Sequence, residues 1–118
     1  MKYLCLVYFE GKHLAALSRS EDIALTNESI AYDEELQRSG HYITSQALQS
    51  PEAATTVRMR NSEVSTTDGP FAETKEQLGG FVLIEARDLN EAIQVAAKIP
   101  LARIGSIEVR PVLGLEKK

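Results

Sequence analysis

Between Asp68 and Glu76 the chain gathers four groups able to move or hold a proton or charge: Asp68, Glu73, Lys75 and Glu76. Carboxylates give and take protons, and an ammonium steadies the negative charge that results, so the set suits acid–base work at a cleft. Asp68 would be the general base or acid, Lys75 the partner of an anionic substrate, and Glu76 a second proton carrier. Phe71, too apolar to be left in water, would pin the loop and form a wall, with Glu73 beside it. Each group also has a plainer reading. Asp68 precedes Gly69-Pro70, where an aspartate often bonds its own backbone in a turn. Lys75 can satisfy a neighbouring acid in a solvated cluster, a weak surface contribution.

Arg58, Arg60 and Arg110 fall on alternating strand positions, where guanidinium groups can grip a carboxylate or phosphate. Arg58 and Arg110 are therefore candidate substrate contacts, and pairing with Glu63 or Glu108 is the alternative. His13 and His41 lack a second histidine or a suitably spaced carboxylate, so no metal is expected. Cys5 is the only cysteine and sits in an apolar run, which excludes an internal disulfide and points to an inert buried thiol. There is no phosphate-binding glycine motif and no nucleophile elbow, so no nucleotide cofactor or serine hydrolysis is expected. The chemistry would be cofactor-free.

The net charge of −4 argues against a nucleic-acid partner and against anionic membrane surfaces. No apolar run approaches a membrane span, and Tyr3–Phe9 is too short for a secretory signal. The expected location is the cytoplasm. The length of 118 residues suits one domain, 1–118.

The elements that must position these groups follow from periodicity. Tyr3–Phe9 and Phe81–Ile84 are apolar on both faces, the pattern of strands covered on both sides. A helix capped by Ser20 or Asp22 runs to about Ser39, with Leu25, Ser29, Tyr32 and Leu36 on one face and Gly40 closing it. His41–Leu48 is a second strand. Thr55–Arg60 and Glu63–Thr67 form a hairpin around Asn61-Ser62. Asp88 caps a helix with Glu91 in an acidic capping box, a stripe of Leu89, Ala92, Ile93, Ala96 and Ile99, and Pro100 as its stop. Ser106–Arg110 is the last strand.

This order predicts an α+β, ferredoxin-like βαββαβ sheet with an inserted hairpin and both helices on one face. Two helices cannot cover both sides of a sheet. A second copy, sheet against sheet across a two-fold axis, would cover the other, so a homodimer is expected.

The run Asp68-Gly69-Pro70-Phe71-Ala72-Glu73-Thr74-Lys75-Glu76, followed by Leu78-Gly79-Gly80-Phe81, resembles the YCII-related, or DGPF-domain, family of the dimeric α/β-barrel superfamily. Lys2-Tyr3-Leu4, Leu48-Gln49, Glu91-Ala92, Pro100 and Glu108-Val109-Arg110-Pro111-Val112 fit as well. The resemblance implies a ferredoxin-like dimer with a cleft near the DGPF loop, often encoded beside extracytoplasmic-function sigma factors. Distant relatives pair a histidine early in the first helix with an aspartate; the corresponding stretch here, Thr26-Asn27-Glu28, has no histidine. Two functions follow as expectations: a cofactor-free small-molecule enzyme with its cleft beside the loop, or a non-catalytic ligand-binding or regulatory module.

Overall fold

Tyr3, Cys5 and Val7 alternate along strand β1 (Lys2–Phe9) and are buried, while Leu4, Leu6 and Tyr8 between them are half-buried. In the computed structural model, which describes residues 1–117, β1 lies inside a four-stranded sheet of order β2-β5-β1-β6. Its neighbours are β5 (Gln77–Glu85) and β6 (Ser106–Pro111), and β2 (Tyr42–Ala47) flanks β5; every pairing is antiparallel. A separate hairpin joins β3 (Thr55–Arg60) to β4 (Glu63–Asp68). Helices α1 (Gly11–Ala15), α2 (Arg19–Ser39) and α3 (Leu89–Ala97) complete a mixed α+β architecture.

The core lies between the sheet and the two longer helices. Tyr3, Cys5, Val7, Val82 and Ile84 meet Tyr32 and Leu36 of α2 and Ala92, Val95 and Ala96 of α3. Each large side chain so buried contributes about 1.5–3 kcal/mol. Burial also pushes the Cys5 thiol up to about 11, the inert thiol the sequence led us to expect.

The N-terminus of α2 differs from the sequence reading, and that of α3 differs only in the partner of Glu91. Ser18, not Ser20 or Asp22, caps α2: its hydroxyl accepts from the Glu21 N–H at 3.1 Å, and the Glu21 carboxylate accepts from the Ser18 N–H at 2.9 Å. Ser18 is chosen because only it has a glutamate three residues on. Asp88 caps α3 as expected, but Glu91 reaches past it to the Arg87 N–H at 3.1 Å. The buried stripe of α3 is Ala92, Val95, Ala96 and, just beyond, Ile99, leaving Leu89 and Ile93 exposed.

Strand β5 starts at Gln77, so Gly79-Gly80 lies inside it and does not end the preceding loop. Val7 pairs with Gly80 but Tyr8 pairs with Leu78, which leaves Gly79 as the extra residue of a bulge. Gly80 is required there, since a Cβ would stand 2.7 Å from the Gln46 carbonyl oxygen.

On the sheet face away from the helices, register aligns Leu4 with Leu83 and Leu6 with Phe81, all half-buried. The molecule is only 19 Å thick in its shortest dimension, two layers and no third. Among the described residues no helix is long and apolar enough to cross a membrane.

Candidate functional site

Just before the bulge, Gln77 and Leu78 at the start of β5 line a cleft shared with two further segments. One is Leu48 and the short 3-10 turn Pro51–Ala53; the other is the DGPF loop, Gly69–Thr74. Between them lie two adjoining cavities, of about 890 Å³ and 640 Å³. Leu48, Pro51, Pro70 and Leu78 line both, Tyr8 and Phe71 line the larger, and Phe9, Glu52 and Glu73 line the smaller. Phe71 is 81% exposed, so the cleft has an open aromatic wall.

Local bonds explain how the walls are held. The Leu48 N–H donates to the Gly79 carbonyl at 2.9 Å, continuing the sheet past β2. Gly69 takes φ 98°, a conformation that suits glycine, and donates its N–H to the Ala54 carbonyl at 2.7 Å. The Thr56 hydroxyl donates to the Gly69 carbonyl at 2.9 Å. The Gln77 side-chain amide then latches the loop from inside, donating to the carbonyls of Ala72 (3.2 Å) and Thr74 (3.0 Å). No side-chain hydrogen bond to Asp68 occurs among the described residues; Gly69, Thr56 and Ala54 hold the turn instead.

The charged groups divide into three sets. Lys75 does not pair with Glu73 or Glu76 but reaches Glu10, with Nζ 3.6 Å from one carboxylate oxygen, while Lys12 holds the other at 3.2 Å. Burial alone would raise the Glu10 carboxyl; the Lys12 bond and the charges of Lys12, Lys75 and His13 outweigh it and hold the group below its ordinary value. Glu52 is also held low, chiefly by the Ser50 hydroxyl. Glu76 turns toward β6, where its Oε2 accepts from the Ser106 hydroxyl at 3.4 Å. Its Oε1 is buried with no hydrogen-bond partner.

Of the residues singled out from the sequence, Phe71 and Glu73 line the cleft. Asp68 ends β4 immediately before the Gly69-Pro70 turn, and Lys75 and Glu76 lie outside the cavity walls. Arg58 stands on the hairpin beside Ser65. Arg110 lies on β6 opposite Leu4, ion-paired with Glu108. Among the described residues no group of three or more His, Cys, Asp or Glu side chains is placed to hold a metal.

The model of the YCII-related domain matches residues 1–116. The chain belongs to the YCII-related family. An uncharacterised protein of Rhizobium meliloti (strain 1021) is 37% identical over 114 residues, covering 95% of this chain and 92% of that protein. Among solved structures, the chain is similar to TftG of Burkholderia phenoliruptrix AC1100, a 5-chloro-2-hydroxyhydroquinone dehydrochlorinase in complex with 2,5-dihydroxybenzoquinone. That match has a TM-score of 0.56 at 16% identity and covers 96% of this chain and 94% of the other, a likeness of fold.

In this YCII-related chain the stretch Thr26-Asn27-Glu28 is an outer part of α2. Glu28 accepts two bonds from the Arg103 guanidinium at 2.8 and 2.7 Å, and none of the three lines the cleft. Sequence reasoning missed Tyr8, Glu10, Leu48 and Gln77. Tyr8 had a readable signal: it shares parity with Leu4 and Leu6, opposite to buried Tyr3, Cys5 and Val7.

Proposed function

We propose that this YCII-related protein binds a small, flat, largely apolar molecule carrying hydroxyl or carbonyl groups and moves a proton on it without a cofactor. The observation that carries this reading is the cleft itself. Its larger cavity has the volume of a small-molecule site, a wall of Tyr8, Leu48, Phe71 and Leu78, and few polar groups to fix orientation. The Tyr8 hydroxyl can donate to or accept from the ligand. Glu73 at the smaller cavity, with Asp68 on the far side of the Gly69-Pro70 turn, supplies the carboxylates. A proton passes from a ring hydroxyl or an adjacent C–H to a carboxylate and returns at another atom, an isomerisation that needs no oxidant. The similarity to a fold that holds 2,5-dihydroxybenzoquinone supports testing hydroxylated rings first.

Titration calorimetry and absorbance with a panel of hydroxylated benzoquinones and phenols test the reading. One ligand per chain, weakened at least tenfold by Phe71→Ala, is the supporting result; no binding by any member of the panel would sink it. A second reading is a non-catalytic ligand-binding module, favoured because the larger cavity is lined by no carboxylate, amine or imidazole among the described residues. Saturable binding with no spectral change over hours selects it.

We also infer a ferredoxin-like protomer in a cytoplasmic homodimer, the sheets packed face to face. The half-buried Leu4, Leu6, Tyr8, Phe81 and Leu83 and the missing third layer support it. A monomer by light scattering at micromolar concentration would overturn it.

A further inference from the structure

The walls of the cleft spend most of their hydrogen-bond donors on the protein itself. In the larger cavity the Thr56 hydroxyl donates to the Gly69 carbonyl at 2.9 Å and the Thr74 hydroxyl to the Glu76 carbonyl at 2.6 Å. The Ser50 hydroxyl donates to the Glu52 carboxylate. A hydroxyl has one proton to give, so each of these groups offers a ligand only its lone pairs. The smaller cavity adds the carboxylates of Glu52 and Glu73, which accept and, when ionised, do not donate. Gln49 and Thr55 keep their protons but are exposed residues that water can satisfy, and the half-buried Tyr8 hydroxyl can serve either way.

Gln77 carries the argument furthest. It lines both cavities, half-buried at the start of β5. Its side-chain nitrogen lies 3.2 Å from the Ala72 carbonyl oxygen and 3.0 Å from that of Thr74. Two carbonyl oxygens can be met only by the NH2 end of an amide, and both of its protons are then taken. The amide's orientation is therefore fixed, with Oε1 at the free end. Among the described residues no donor reaches that oxygen, and it is not shut off from solvent.

We propose that Gln77 selects the ligand: its Oε1 accepts from a neutral hydroxyl on the ring, so the cleft takes hydroquinones and phenols in preference to the corresponding quinones and ethers. A quinone carbonyl or an ether oxygen at that place sets acceptor against acceptor. Neither then has a proton, which is how a hydrogen-bonding site rejects an analogue that lacks the hydroxyl. Loop latch and selection are one device, because the two bonds that hold Ala72 and Thr74 also leave the acceptor free. This inference deepens the small-molecule reading above and rests on it.

Calorimetric titration under nitrogen with tetramethylhydroquinone, its dimethyl ether and tetramethylquinone is the test; the ring methyls block addition of side chains to the quinone. The hydroquinone should bind at least about tenfold more tightly than either analogue. Gln77→Leu should erase that preference. Tyr8→Phe keeps the latch and should weaken all three without changing their order; should Gln77→Leu fail to fold, the wild-type ratio and Tyr8→Phe decide. Three equal affinities in the wild type overturn the role of Gln77 and leave the apolar cleft standing. So does a preference that vanishes in Tyr8→Phe, or one that survives in a folded Gln77→Leu. Binding of none of the three overturns the inference, and the reading beneath it falls only if the hydroxylated panel fails as well.

Discussion

Gly79 stands where a Cβ would come within 2.1 Å of Cε1 of Phe9. The Phe9 ring, at the last residue of β1, therefore occupies the space that a side chain on the bulge residue Gly79 would need. Gly79→Ala forces the Phe9 ring out of place, and overpacking of this kind costs about 1–3 kcal/mol. The variant should melt several degrees lower by calorimetry. Phe9→Leu added to it should recover part of the loss, because the obstructing ring is then gone.

The same pair shows what the sequence could and could not reveal. Strands, both main helices and the hairpin were readable, because alternation, caps and turn residues act locally. Gly79-Gly80 was also visible, but as a pair it reads as a loop end. Only the Val7–Gly80 and Tyr8–Leu78 register shows it to be a bulge. The turn chemistry and aromatic anchor of the DGPF loop mark it in the sequence as a candidate site, and Phe71 and Glu73 line the cleft. Lys75's partner was not legible, since Glu10 lies far off in sequence and meets it only when β1 and β5 pair. Val95 was missed on α3 because apolar Leu89 and Ile93 outweigh two alanines in any pattern count.

Tyr32 donates its hydroxyl to the Val95 carbonyl at 2.6 Å, tying α2 to α3 inside the core, and burial pushes the phenol up to about 12. Tyr32→Phe keeps the ring and removes the bond. A loss of about 1–2 kcal/mol is expected in urea unfolding, with an unchanged denaturant slope.

Acid should loosen the contacts that Glu91 and Glu28 make. The Arg87 N–H, then the His41 ring and the Arg87 guanidinium, hold Glu91 below the ordinary 4.5 against the opposing effect of burial. Bonds from Arg103 do the same for Glu28. A carboxyl lowered on folding contributes stability that is fully present above its unfolded value and disappears as pH falls through the folded one. Unfolding midpoints should therefore be flat from neutral pH down to about 4.5 and then decline. Glu91→Gln should lower the plateau and shallow the decline.

Glu76 has a buried carboxylate oxygen with no donor and one long bond from Ser106. An unmet buried acceptor costs about 1–3 kcal/mol, so Glu76→Leu should melt at or above wild type. A lower melting temperature would show that the Ser106 contact matters more than the orphaned oxygen.

Asp68→Asn and Lys75→Met separate architecture from chemistry. Asp68 accepts no side-chain bond among the described residues, and the turn beside it is secured by Gly69 and Thr56. Lys75 is 80% exposed, and its partner Glu10 keeps a second cation in Lys12. Neither substitution should move stability by more than about 0.5 kcal/mol. If ligand turnover falls at least tenfold in Asp68→Asn while the melting temperature holds, the carboxylate acts on the ligand. If the melting temperature drops instead, Asp68 shapes the turn, and Glu73 is left as the acid–base group at the cleft.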